Sequence, residues 1–144
     1  MSFTFRIDCP RPSVDSLQIT MKHLALRCLE ELPPTGPWPL GHFHFYRDKV
    51  STRTTEVSWD GKTFCVRVFT LACPDDYHIA VELAASTAGS LTARVEPEDI
   101  GDIGPLPPND LRQMYNTFWA ESMCTAMARI MCNMAVDENK EITI

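Results

Sequence analysis

The stretch Thr55-Glu56-Val57-Ser58-Trp59-Asp60-Gly61-Lys62-Thr63-Phe64-Cys65-Val66-Arg67-Val68-Phe69 alternates apolar with polar residues on both sides of Asp60-Gly61. A period of two marks a strand with one buried face, and Asp-Gly is a preferred two-residue hairpin turn. Pairing Trp59 with Lys62 sets Val57 opposite Phe64 and Thr55 opposite Val66, so the apolar faces coincide. Worked outward, the same period predicts an antiparallel meander of five strands over 42–47, 53–59, 62–71, 78–85 and 91–96. Across Ser86-Thr87-Ala88-Gly89-Ser90, setting Ala85 opposite Leu91 brings Leu83 to Ala93, Val81 to Val95 and the opposite charges Glu82 and Arg94 together.

On the N-terminal side, residues 3–8 read as a first strand with Phe3, Phe5 and Ile7 on one face. Cys9-Pro10-Arg11-Pro12 ends it, and Ser13 is a good N-cap for a helix whose apolar stripe is Val14, Leu17, Met21, Leu24 and Cys28, running to about Leu32. The proline-rich connector around Trp38 follows, because proline cannot continue a helix. On the C-terminal side, 97–108 reads as an acidic loop packed down by Ile100, Ile103 and Leu106. Asn109 then caps a long final helix reaching about Ala135, with Asp110 near its positive end. Its apolar direction drifts from Leu111, Met114, Tyr115 and Phe118 to Met123, Met127, Ile130, Met131 and Met134, which implies a bend or burial on more than one side. The order β-α-β-β-β-β-β-α defines an α+β fold in a single domain over 1–144, an antiparallel meander of five to six strands with two amphipathic helices packed on one face.

At 144 residues, 44% hydrophobic and 22% charged, the chain has the composition of an ordinary globular domain rather than a disordered or rod-like one. Its 13 Lys and Arg against 19 Asp and Glu give a net charge of −6, and the basic residues are scattered, so direct nucleic-acid binding is not expected. The N-terminus lacks the apolar run of a secretory leader, and no segment approaches the roughly 18 apolar residues of a membrane span, so a cytoplasmic protein without membrane contact is expected. The six cysteines contain no C-x-x-C pair and are expected to be free thiols in a reducing compartment.

Few residues carry chemistry. His42 and His44 share one face of a strand and would both reach a zinc ion, with Asp48, His78 or Cys73 as further ligands. The simpler reading needs no cofactor: Phe43 and Phe45 are buried and the two histidines sit on the wetter face. In Cys73-Pro74-Asp75-Asp76-Tyr77-His78 the local acids raise the thiol pKa, so the segment reads as a turn rather than a nucleophile. The run Glu96, Glu98, Asp99, Asp102 lacks the alternating spacing of a calcium loop. There is no Walker loop, G-x-G-x-x-G, G-x-S-x-G or H-E-x-x-H.

The sheet face turned away from the helices is expected to carry His44, Tyr46, Glu56, Arg67, Phe69, Glu82 and Arg94, aromatic residues among charges, as in protein-binding patches. The last helix, with five of the seven methionines, presents Trp119, Met123 and Met127 as a self-association face for a homodimer. These features predict a small acidic cytosolic protein-binding module that occludes a partner in the manner of an inhibitor, immunity factor, chaperone or adaptor. Its negative charge favours encounter with a basic protein. The alternatives are a metal-dependent enzyme using His42 and His44, and a small-ligand-binding module with its pocket between sheet and helices.

Overall fold

The computed structural model describes residues 2–70, 72–98 and 103–116. In chain order its elements are β1 (Ser2–Asp8), α1 (Val14–His23), β2 (Leu26–Cys28), β3 (Gly41–Arg47), β4 (Thr55–Trp59), β5 (Thr63–Phe69), α2 (Pro74–Ser90), β6 (Glu96–Pro97) and α3 (Pro108–Met114). The six strands form one antiparallel sheet in the order β2-β3-β4-β5-β1-β6. The α+β class follows directly. The first strand lies inside the sheet, between β5 and β6.

Alternation along the strands builds the core. Phe5, Ile7, Phe43, Phe45, Val57, Trp59, Phe64, Val66 and Val68 are buried on the face beneath the helices. Val14, Leu17 and Met21 of α1 and one long flank of α2 close over them. The proline-rich connector carries Trp38 into this layer, where it meets Phe43 and Phe64 edge-on with ring centroids 6.0 and 5.4 Å away. Aromatic pairs favour this edge-to-face arrangement, and indole burial contributes a large apolar area.

Four expectations need correction. The hairpin pairs Trp59 with Phe64 and Val57 with Val66 rather than Trp59 with Lys62. Asp60 Oδ1 accepts the N–H groups of both Lys62 (2.8 Å) and Thr63 (2.7 Å), which widens the turn around Gly61 at φ +100°. A slip of two residues preserves which face each side chain occupies, so the apolar faces still coincide. The second correction is larger. Segment 78–85 is not a strand but the middle of α2, and only Glu96–Pro97 remains of the strand expected over 91–96. The five-strand meander is therefore three strands long. Ten residues of α2 are buried, so it has no single apolar stripe, and its Ile79, Val81, Leu83, Ala85 sequence mimics a period of two. Four alanines at 80, 84, 85 and 88, a proline in the first turn and Asp75–Asp76 beside the positive end are the helix signals that prevail.

Third, α1 ends at His23 rather than near Leu32. Ser13 caps it as expected, its Oγ accepting the Asp15 N–H at 3.2 Å. The chain then turns at Ala25, φ +52°, and Cys28 leaves the helical stripe to pair with Phe45 in β2. Fourth, α3 starts at Pro108 with Pro107 as its cap, and Asn109 Oδ1 instead accepts from Arg112 Nη1 at 3.1 Å. Of the loop residues expected to pack down, Leu106 does so through a bridge to Val95, whereas Ile103 is exposed. Ile100 and the final helix beyond 116, including Trp119, Met123 and Met127, lie outside the described residues.

The start of α2 is fixed by a buried carboxylate. Asp76 is fully buried, and its Oδ2 accepts the backbone N–H groups of Thr52 (3.1 Å) and Arg53 (3.2 Å) together with the Thr52 hydroxyl and the Cys73 thiol. Thr52 Oγ1 in turn accepts the Cys73 N–H at 3.0 Å. The β3–β4 loop and the first turn of α2 are one hydrogen-bonded unit. Asp76→Ala is expected to lower stability by about 2–4 kcal/mol, because it strands buried donors. Asp75→Ala, which removes only the exposed 3.4 Å pair with Arg47, is expected to cost under about 1 kcal/mol. Urea unfolding of the two variants checks the contrast.

Candidate functional site

The register places the polar residues of the sheet in rows across its second face. His44 pairs with Glu56, Glu56 with Arg67 and Arg67 with Thr4. The row on one side runs His42, Ser58, Cys65, Arg6 and Glu96. On the other, Arg27 pairs with Tyr46 and Phe69 with Ser2. Among the described residues, no helix packs on this face.

Its centre is an ion-pair network. Glu56, with a side chain only 18% exposed, receives Arg67 Nη2 at 2.6 Å on Oε1 and faces His42 Nδ1 at 3.4 Å and His44 Nε2 at 3.4 Å. The other ring nitrogen of His44, Nδ1, lies 2.6 Å from Glu30 Oε2, while Glu30 Oε1 accepts the His44 backbone N–H at 2.7 Å. The imidazole is clamped between two carboxylates, each of which has a second partner. Nδ1 is engaged by Glu30 and Nε2 faces Glu56 at 3.4 Å, so the ring ties the two carboxylates together across the surface.

Other chemistry has little support in the geometry. Among the described residues, no three His, Cys, Asp or Glu side chains form a group able to hold a metal ion. His42 and His44 do share a face, and both turn to Glu56, whose Oε1 is already paired with Arg67. Cys9, Cys28, Cys65 and Cys73 are free thiols. Burial raises the Cys28 and Cys65 thiols, and burial followed by the Asp76 charge raises Cys73, as its acidic neighbours predict. Burial and Asp8 push Cys9 up to about 11. Raised thiols are poor nucleophiles at neutral pH.

Of the expected face residues, His44, Tyr46, Glu56, Arg67 and Phe69 lie together on it. Glu82 does not. It sits on α2 and accepts Arg112 Nε at 2.9 Å, within the helical layer. Arg94 pairs with no strand residue; it borders a cleft with Arg6, Asp8 and Glu96 at the β6 side of the sheet. Glu30 is the principal member that sequence reasoning misses, because its segment reads as the end of a helix. The residue also follows β2 by only two positions, so the pairing of Cys28 with Phe45 is what delivers it to His44.

No family model, curated protein or solved structure matches the chain. No described helix is long and apolar enough to cross a membrane.

The network sets an acid limit. Burial works to raise the Glu30 carboxyl, but the hydrogen bonds from the His44 backbone and ring, with the ring's charge, outweigh it and hold Glu30 below its ordinary 4.5. A depressed folded value contributes stability above the unfolded value and loses it as pH falls through the folded one. The stability difference between the wild type and Glu30→Gln should therefore shrink as pH falls through the Glu30 range and vanish in acid. Thermal unfolding across pH, with NMR titration of the Glu30 carboxyl carbon, measures both.

Proposed function

We propose that the protein binds another protein through the second face of its sheet and acts by occluding it, as an inhibitor, immunity factor, chaperone or adaptor does. The observation that carries this reading is the Glu30–His44–Glu56–Arg67 network, which orders a face that no helix covers among the described residues. Side chains already held by one another lose little freedom on docking, which lowers the cost of association. Helix α2, though it interrupts the meander, lies on the covered side and leaves this face available. The net charge of −6 favours encounter with a basic partner, and a cytoplasmic setting fits the free thiols.

Glu56→Arg is the decisive change, since it sets a cation among Arg67, His42 and His44. Tagged protein incubated with host extract should retain a partner that Glu56→Arg loses, and the purified pair should show at least about tenfold weaker binding. Ile19→Asp, 81% exposed on α1, should bind like the wild type. Retention of no protein, or equal retention by Glu56→Arg, would reject the reading.

A further inference from the structure

One end of the docking face differs in charge from the rest of the molecule. Arg53 stacks its guanidinium over Phe69, 5.5 Å from the ring centroid, and makes no ion pair among the described residues. Its Nε is buried without a hydrogen-bond partner. The nearby cations Arg27 and Arg47 are matched by Asp48 at 3.6 Å and Asp75 at 3.4 Å, whereas Lys49, exposed at the loop tip, adds an unmatched charge. With Asp76 accepting the Arg53 backbone N–H, the four cations Arg27, Arg47, Lys49 and Arg53 stand beside three carboxylates, so this end keeps a small positive excess on a chain of net charge −6. Nε is closed to solvent, whereas Nη1 and Nη2 make no hydrogen bond among the described residues, and the outer edge of a stacked guanidinium suits a carboxylate.

The space beside Arg53 is shaped for a small group. A cleft of 180 Å³ lies between Arg53, Leu29, Tyr46 and the hydroxyl-bearing residues Ser51, Thr52 and Thr54. It is below the size of pockets for drug-sized ligands and admits one or two side chains. Leu29, 63% exposed, and the Tyr46 ring give it apolar walls. Asp76 holds the Arg53 backbone, and Ser51 Oγ accepts the Arg47 N–H at 2.8 Å, while the guanidinium itself rests on the Phe69 ring.

We infer that this cleft takes a side-chain carboxylate beside an apolar group, so that the partner docks an acidic-apolar segment on Arg53, Tyr46 and Leu29. The inference rests on the docking reading above and names what that face recognises. It is compatible with a partner of positive net charge. Long-range encounter reads the charge of the whole molecule, while a contact inside the Debye length of about 8–10 Å reads the local cations.

The probes are the blocked peptide GFELG, its neutral analogue GFQLG and a short oligouridine, each titrated into isotope-labelled full-length protein. The acidic peptide should shift the amides of Tyr46 and residues 51–54 and bind at least about tenfold more tightly than the neutral one. Arg53→Gln should abolish that difference. Leu29→Asp, on an exposed position that does not endanger folding, should repel the acidic peptide and keeps the test decisive if Arg53→Gln is unstable. Equal binding of the two peptides, no shift at millimolar peptide, or tighter binding of oligouridine at the same amides would overturn the inference. A partner that is lost by Glu56→Arg but retained by Leu29→Asp would overturn the cleft assignment alone. Peptide binding without any retained partner would overturn the docking reading instead.

Discussion

The carboxylate of Asp76 is the constraint on which the functional half of the molecule depends. It lies fully buried at the positive end of α2, where helix dipole and backbone donors together stabilise a negative charge. Because its partners include the Thr52 and Arg53 N–H groups, it joins two elements far apart in sequence. The helix cannot be displaced without releasing the loop, and the loop carries Arg53. Packing of the covered layer thereby sets the position of a cation on the uncovered one.

A second economy operates at Glu56. One carboxylate faces Arg67, His42 and His44, and Glu30 holds the opposite side of the His44 ring. Exposed ion pairs contribute little individually, but a network in which each member is shared restricts several side chains at once. The face is consequently stiff and nearly neutral in its middle. Its Arg53–Phe69 end keeps unmatched positive charge.

How much of this could be read from residues alone depends on period. The strands containing Phe43, Val57 and Val66 announce themselves by alternation, and a two-residue register error across Asp60-Gly61 leaves every face assignment intact. That is why the alternation alone assigns His44, Glu56, Arg67, Tyr46 and Phe69 to one face. Helix α2 hides from periodicity because ten of its seventeen residues are buried and its Ile79, Val81, Leu83, Ala85 run alternates, and the positions expected for Glu82 and Arg94 fall with it. The role of Glu30 depends on a three-residue strand and a left-handed turn at Ala25, features too short and too local to leave a periodic trace. The stacking of Arg53 on Phe69 is equally silent, since β4 and β5 must pair before the two residues meet.

The two margins of the sheet limit how a partner can approach. β2 is three residues long and β6 only two, one of them Pro97, which has no N–H to offer. The outward N–H of His44 is already taken by the Glu30 side chain, and the Thr4 carbonyl by Glu98. Short, proline-bearing or side-chain-capped margins disfavour an added strand along these stretches. The partner proposed above would then be recognised by side chains laid flat on the pleats more readily than by extension of the hydrogen-bonded ladder.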